Sequence, residues 1–447
     1  MQKQSLRYFL STLNSSQMKT LRIKRQDYIL SALVNEMENR GETSVVQLVD
    51  PETERMTVAN IFGDRNILKE HIHNILDIEQ VAGEYAPVDF HGKAPVQETI
   101  FLNEEIDAEK LPIFKHFAGD AGRYITSGIM VAKDPETGRA NLSFHRMMLK
   151  GKDRFGVSLH SMGDLWDYYT RSAKMNKDLE VAVIIGAAPA LYLAGTTNIP
   201  HCYDDYMYAG AFLGEAIELV PAKTVHLKVP AHAEYVLEGR ILAQEFEDEG
   251  PFAEYTGYST SRSTRNIFKL SCITCRRDAI WQELVPGFSN EHIMLSQYTR
   301  EIILFHKLQN AIPEVSALCI PKNGCHFHAY LAMKSSVAGK AKQAMMLLFG
   351  LDQYLKLIIV VDEDVDVFDE KQVLKALATN FQADTDMFMV AGVTCNRLDP
   401  SSKDGLAAKM GLDATSKGQE NQVVALPAES MRLAKQLLDE ADHSHKF

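Results

Sequence analysis

Cysteine is sparse. The six (Cys202, Cys272, Cys275, Cys319, Cys325 and Cys395) are scattered through 447 residues, which excludes a disulfide framework. Cys272 and Cys275 form a CxxC, but no second pair or nearby histidine completes a zinc site. Their surroundings, Phe268-Lys-Leu-Ser-Cys-Ile-Thr-Cys-Arg, read as a strand. Basic clusters are also missing. With 47 Lys and Arg against 59 Asp and Glu, the net charge of -12 argues against general binding to nucleic acid backbones. Long apolar runs are missing too. The longest, Val181 to Gly195, is interrupted by Gly186 and Pro189, is too short to span a bilayer, and reads as a buried strand followed by a turn. The amino terminus lacks the apolar core of a signal peptide, and there are no repeats or low-complexity tracts. These absences predict a soluble, cytoplasmic protein with no nucleic acid partner and no membrane span.

What is present is an ordinary globular balance, 46% hydrophobic and 24% charged, in a chain long enough for two or three domains. Leu6, Phe9, Leu10 and Leu13, then Leu30, Leu33, Val34 and Met37, recur at helical spacing, so residues 5 to 40 read as helical. Short strand-like pieces alternate with helical ones up to about 115. From about 120 to 285 strand-like segments dominate, such as 125–132, 141–149 and 233–241, separated by turn signals. This middle predicts a β-barrel or a heavily bent sheet. A long helix over 293–309 follows as a linker, then a helix around Lys340, a buried strand from Leu357 into Asp362, and a helix beginning near Glu370. The division is 1–118 (α/β), 119–290 (barrel), 291–312 (linker) and 313–447 (α/β). The fold class is α+β and multidomain.

Three tempting motifs carry nothing. Asp362, Asp364 and Asp366 resemble a calcium loop, but Val367 and Val373 stand where its Gly and bidentate Glu belong. Gly339-Lys340 lacks the rest of a phosphate loop. Met345-Met346 reads as core packing.

Three others point to chemistry. In Glu249-Gly-Pro-Phe-Ala-Glu254-Tyr-Thr-Gly-Tyr258, Pro251 fixes one backbone angle and Gly250 permits a tight approach. Such a turn can hold two carboxylates near one site and push their proton affinities apart; an acidic solvated loop is the plain alternative. In Asn141-Leu-Ser-Phe-His-Arg146 an odd offset puts Asn141 and Arg146 on opposite faces of a regular strand, so each can serve a different site. Arg146 can clamp a carboxylate and Asn141 can give an oxygen to a metal. His160 and Asp205 would complete an oxygen-and-nitrogen set suited to manganese or magnesium, although no local spacing links them.

Taken together, Glu-Gly-Pro-Phe-x-Glu-x-x-Gly-Tyr, the upstream Asn-x-x-x-x-Arg, Val361-Asp-Glu-Asp-Val-Asp and Lys409-Met-Gly-Leu-Asp-Ala-Thr-Ser-Lys417 resemble the UbiD family over roughly residues 100 to 420. The resemblance implies a central split β-barrel of flavin-binding type between N- and C-terminal α/β domains, the latter dimerising. It implies non-oxidative, reversible decarboxylation of an aromatic or heteroaromatic acid through a covalent adduct with prenylated FMN. By the same resemblance Arg146, Glu249 and Glu254 are catalytic, with Glu254 the proton donor. Asn141, His160 and Asp205 hold Mn2+ or Mg2+ against the cofactor phosphate. Phe144, His145, Arg146, Leu159, Ser161, Met162, Gly163 and Lys409 line the cofactor. A K+ site falls near Ala194, Gly195, Thr197 and Asp205. His292 and Arg300 resemble the pair with which furan-dicarboxylate members hold a second carboxylate. Partners would be a small carboxylic acid, a flavin prenyltransferase supplying the cofactor, and further copies in a homodimer or a dimer-based hexamer. Two departures stand out: Asp205 replaces a common Glu, and Ser161-Met-Gly-Asp lacks the Arg-Gly of ubiquinone-pathway members. A polyprenyl-hydroxybenzoate decarboxylase and a non-catalytic flavin-binding subunit remain alternatives.

Overall fold

The protein is described by a computed structural model covering residues 2–159, 163–200, 203–334, 338–417, 424 and 426–444. The first domain is built on a four-stranded sheet in the order Met18–Arg22, Val45–Val49, Met56–Ala59 and Trp281–Gln282. The last strand comes from the far end of the segment expected as barrel, so the chain returns to complete its first sheet. Residues 5 to 40 are not one helical stretch. Helix Leu6–Thr12 stops, Asn14 accepts the Ser16 and Gln17 amides in a side-chain turn, and Met18–Arg22 pairs in parallel with Val45–Val49 before helix Ile29–Asn39 begins.

The middle forms a nine-stranded antiparallel sheet that curls into a half-barrel. Its long members, Tyr235–Phe246 and Asn266–Cys275, pair with each other and slip register at Glu238/Gly239. A Cβ on Gly239 would lie 2.0 Å from the Lys269 carbonyl oxygen, so the close approach at this bulge requires glycine. Cys272 and Cys275 are buried strand residues, as expected.

Strand Leu179–Ile185 explains why the longest apolar run does not alternate. Ala182 and Ile184 face one core, shared with Leu191, Tyr206 and Phe212. Val181, Val183 and Ile185 face another, shared with Phe155, Leu165 and Phe268. Both faces of the sheet are covered, so both sets are apolar. The expected turn after it is a turn followed by a helix: Gly186 takes φ +77, and Pro189–Ala194 is helical with Pro at its first turn.

The linker helix runs Asn290–Ala311, beyond the 293–309 of its sequence pattern and one residue from the 291–312 division, and is capped by Ser289, whose hydroxyl accepts the His292 amide. The C-terminal domain carries a five-stranded sheet in the order Val315–Cys319, His328–Met333, Leu357–Asp362, Leu406–Asp413 and Met387–Thr394, with helices Lys340–Leu351 and Glu370–Asn380. Only half of the Met345-Met346 expectation holds: Met345 is buried and Met346 is exposed, because consecutive helix positions point apart. Among the described residues no helix is long and apolar enough to cross a membrane.

Candidate active site

Strand Ala140–Phe144 ends just before Arg146, which lies in the turn to Met147–Gly151. There Arg146 Nε donates to Glu249 Oε1 at 2.9 Å and Nη2 to Glu249 Oε2 at 3.1 Å, a bidentate fork. Nη1 donates to Glu254 Oε1 at 2.5 Å, and Nη2 also reaches the Arg262 carbonyl at 2.7 Å. The guanidinium lies over the Phe252 ring, 5.1 Å from its centroid. Two carboxylates a hundred residues downstream in the sequence thus share one buried cation.

The Glu249–Glu254 turn is shaped as its residues require. Gly250 takes φ +95, which a side chain would rarely permit, and the Gly250–Pro251 bond is cis. Asp120 braces the segment by accepting the Ala253 amide at 3.0 Å and the Phe117 amide at 2.9 Å. The Glu254 amide donates to the Tyr258 carbonyl at 3.0 Å and Gly257 donates back to the Glu254 carbonyl at 2.9 Å. Burial raises the proton affinity of Glu254, Arg146 opposes this, and the neighbouring Glu249 adds to it. Tyr124 is pushed well above the ordinary phenol range by burial and by Glu249.

Asn141 belongs to a separate cluster. Its Nδ2 donates to Asp205 Oδ2 at 3.2 Å, and the Leu142 amide donates to the same oxygen at 2.7 Å. Asp205 opens helix Asp205–Leu213 and is 3% exposed; burial pushes it up to about 7 against the pull of the Leu142 amide. Asn141 Oδ1 is buried with no hydrogen-bond partner among the described residues. An orphaned amide oxygen beside a buried carboxylate fits a hard divalent cation, which would satisfy both. His160, Ser161 and Met162 lie outside the described residues; among the described residues no group of three His, Cys, Asp or Glu is assembled for a metal.

The remaining expected residues divide. Phe144 packs on Tyr192 with ring centroids 5.7 Å apart, and His145 is held between Ser143 and the Ser158 carbonyl. Leu159 is buried, its amide donating to Thr264 Oγ1, and Gly163 caps helix Asp164–Lys174. Lys409 sits within the C-terminal domain, its ammonium donating to the carbonyls of Phe349, Asp352 and Gln353, so its three donors are occupied there. Ala194 and Gly195 close helix Pro189–Ala194, while Thr197 bonds the Leu193 carbonyl and Thr299 of the linker helix. Asp205 turns instead to Asn141, so the four residues expected around K+ are not joined by these bonds.

His292 and Arg300 do share a neighbourhood, through a residue that sequence spacing missed. Tyr255 packs edge-on against His292 at 6.1 Å and against His326 at 4.9 Å, and Arg300 Nη2 donates to the His326 carbonyl at 3.3 Å. Arg300 Nε is ion-paired with Asp352 at 2.5 Å. Burial pushes His292 down to about 4 and His326 further below its usual range, so both rings are neutral near pH 7. Tyr124, His326 and Asp352 carry no local signal; each joins the site only through folding.

A cavity of about 250 Å³ lies elsewhere, between Arg65, Asn290, Gln297, Lys322 and Phe368, and includes none of the Arg146 cluster.

Two family models match. Residues 89–289 match the 3-octaprenyl-4-hydroxybenzoate carboxy-lyase Rift-related domain (UbiD), and residues 293–414 match the corresponding C-terminal domain. The chain is 36% identical over 313 residues to anhydromevalonate phosphate decarboxylase of Methanothermobacter thermautotrophicus, covering 69% of this chain and 73% of that one. It is 33% identical over 374 residues to the protein of that name from Methanocaldococcus jannaschii, covering 82% and 86%. The UbiD-class enzyme HmfF from Pelotomaculum thermopropionicum, solved in complex with FMN, superposes with a TM-score of 0.89 at 33% identity, covering 96% of this chain and 99% of HmfF. An evolved dimeric form of HmfF in complex with prFMN gives 0.86 at 30% identity, covering 95% and 98%. On the matched models, the sequence identities and the shared multidomain α+β fold, the chain belongs to the UbiD family of carboxy-lyases.

Proposed function

We propose that the chain catalyses non-oxidative decarboxylation of an aromatic or heteroaromatic acid with prenylated FMN, Arg146, Glu249 and Glu254 forming its catalytic set. The observation that carries this reading is the single buried guanidinium forked onto Glu249 while its remaining arm holds Glu254. When bound, the prenylated flavin supplies the electron sink that loss of carbon dioxide from an unsaturated carbon requires. The residues of the chain supply positioning and protons. Glu249 takes two of the guanidinium's donors and so fixes its plane. The arm toward Glu254 can then be shared with a substrate carboxylate. Glu254, whose burial favours the protonated form, delivers a proton to the carbon that carbon dioxide leaves. Asn141, His160 and Asp205 would hold the divalent ion, manganese or magnesium, that anchors the cofactor phosphate. The working assembly in this reading is a homodimer or a multiple of one.

The identity with anhydromevalonate phosphate decarboxylases favours a second reading, in which the substrate is a phosphorylated acid. One experiment separates the two. The chain is co-expressed with a flavin prenyltransferase, purified anaerobically, and offered aromatic, heteroaromatic and phosphorylated unsaturated acids while carbon dioxide release is measured. Release from a ring acid, lost in Glu254→Gln with flavin still bound, supports the first reading. Release confined to the phosphorylated acid supports the second. Full activity in Glu254→Gln would remove that residue from its role.

A further inference from the structure

Tyr255 follows Glu254 directly and belongs to the barrel turn, yet its ring contacts and its hydroxyl bond are made with the linker helix and the C-terminal domain. Its ring meets His326 at 4.9 Å and 77°, His292 at 6.1 Å and 81°, and Phe327 at 6.1 Å. Its hydroxyl accepts a hydrogen bond from Asn396 Nδ2 of the C-terminal domain.

The surface that receives the ring is firmly built. Cys325 and His326 both take positive φ, 47 and 65, a conformation that two successive side chains adopt only where their surroundings enforce it. Arg300 Nη2 holds the His326 carbonyl, and Ser296 Oγ meets His326 Nε2 at 3.1 Å. The Phe327 carbonyl accepts the Lys356 amide at 2.7 Å and the Leu357 amide at 3.1 Å.

The other side of Tyr255 is equally constrained. The bonds Glu254 N to Tyr258 O and Gly257 N to Glu254 O close the turn on itself. Tyr255 lies inside this closed turn, next in the chain to Glu254, so a shift of its backbone is passed to Glu254.

We propose that Tyr255 is a positioning residue that couples the seating of the C-terminal domain to the placement and dryness of Glu254. The inference rests on the reading of Glu254 as the proton carrier. With Tyr255 docked, the C-terminal domain packs against the Tyr255 side of the turn and Glu254 stays largely buried beside Arg146, its side chain 15% exposed. With the dock released, water reaches the carboxyl, the burial that favours its protonated form is lost, and Arg146 draws it toward the ionised form. The charged and titratable groups facing this arrangement are Arg146 and Glu249 on the barrel side. On the other side are Arg300 with its partner Asp352, the neutral His292 and His326, Cys325, and Tyr354.

The test uses the full chain without added ligand, so it does not wait on a substrate. Infrared difference spectra of wild type against Glu254→Gln isolate the Glu254 carboxyl band, which is then followed with pH. Tyr255→Phe removes only the hydroxyl bond; Asn396→Ala removes the same bond from the other domain and guards against a folding defect in the turn. Each is expected to lower the titration midpoint by about half a pH unit, roughly threefold in proton affinity, and the double variant to shift it no further. Amide exchange at Glu254 and Gly257 should quicken in Asn396→Ala, although that substitution lies in a different domain. Unchanged midpoints in both single variants, or a double shift equal to the sum of the two, overturn the coupling; so does unchanged exchange in Asn396→Ala. A wild-type band titrating in the ordinary carboxylate range refutes the stored proton on Glu254, and amide exchange then decides the docking contact by itself.

Discussion

Removing the Arg146 guanidinium asks whether Glu249, Arg146 and Glu254 form one electrostatic unit. The side chain of Arg146 is 10% exposed and that of Glu249 is 0% exposed. In Arg146→Ala the two carboxylates that shared a cation lose it, Glu249 fully buried and Glu254 15% exposed, and the Arg262 carbonyl loses a donor. Breaking a buried pair from one side costs roughly 3–5 kcal/mol, because the abandoned charge is not rehydrated. The carboxylates can escape only by taking up protons, which raises their folded-state affinity above the unfolded value near about 4.3. The folded variant then binds more protons than the unfolded chain, so its stability falls as pH rises through the raised folded value. It recovers as pH is lowered toward the unfolded one. The loss should therefore be largest near about pH 8 and clearly smaller near about pH 5. Adding Glu249→Ala should return part of it, since the second substitution removes the stranded charge. Urea unfolding followed by tryptophan fluorescence reads this out, because Trp281 is wholly buried and bonded to Glu283 next to the barrel. A loss under about 1 kcal/mol that is equal at both pH values, or a double variant weaker than Arg146→Ala alone, would refute the unit.

Three other outcomes follow from the same geometry. With Glu254 acting as a proton donor, kcat/KM should fall as pH rises through its elevated proton affinity, and Glu254→Gln should cut turnover by about 10²–10⁴-fold with flavin retained; a flat profile on the alkaline side would contradict this. Asn141→Ala should reduce manganese retention in equilibrium dialysis, because it deletes the orphaned oxygen beside Asp205, and unchanged retention would remove Asn141 from the ligand set. Gly239→Ala should destabilise the barrel by about 1–3 kcal/mol or prevent its folding, since the added carbon meets the Lys269 carbonyl; a wild-type melting temperature would show that the bulge can relax.

The parts of the molecule legible in its sequence are those governed by local rules. The strand-rich middle showed because most of its strands carry β-branched residues between Gly and Pro turns. The Glu249–Glu254 turn showed because Gly250 and Pro251 announce a shaped backbone, and that backbone has the positive φ that glycine allows. Strand Met18–Arg22 was hidden, since Met-Lys-Thr-Leu-Arg has no strong period and gains its identity only by pairing with Val45–Val49. Helix Pro189–Ala194 was hidden for the opposite reason: it is apolar on every side, so no face pattern separates it from the strand before it. Lys409 was placed at the cofactor by resemblance alone, and the three carbonyls that its ammonium meets are connected to it by no spacing rule.

The spacing of Asn141 and Arg146 shows how far a local rule can reach. Five residues apart on a regular strand they would face opposite sides, and they do serve different clusters. The strand ends at Phe144, however, so Arg146 owes its direction to the turn into Met147–Gly151 as much as to alternation. What each residue meets there was beyond local reading: Asp205 arrives from a helix 64 positions away and Glu249 from a turn 103 positions away. Residue types at a spacing state which chemistry a strand can offer to each side. Only the closed sheet decides that one side receives an orphaned amide oxygen with a buried carboxylate, and the other a guanidinium shared by two carboxylates.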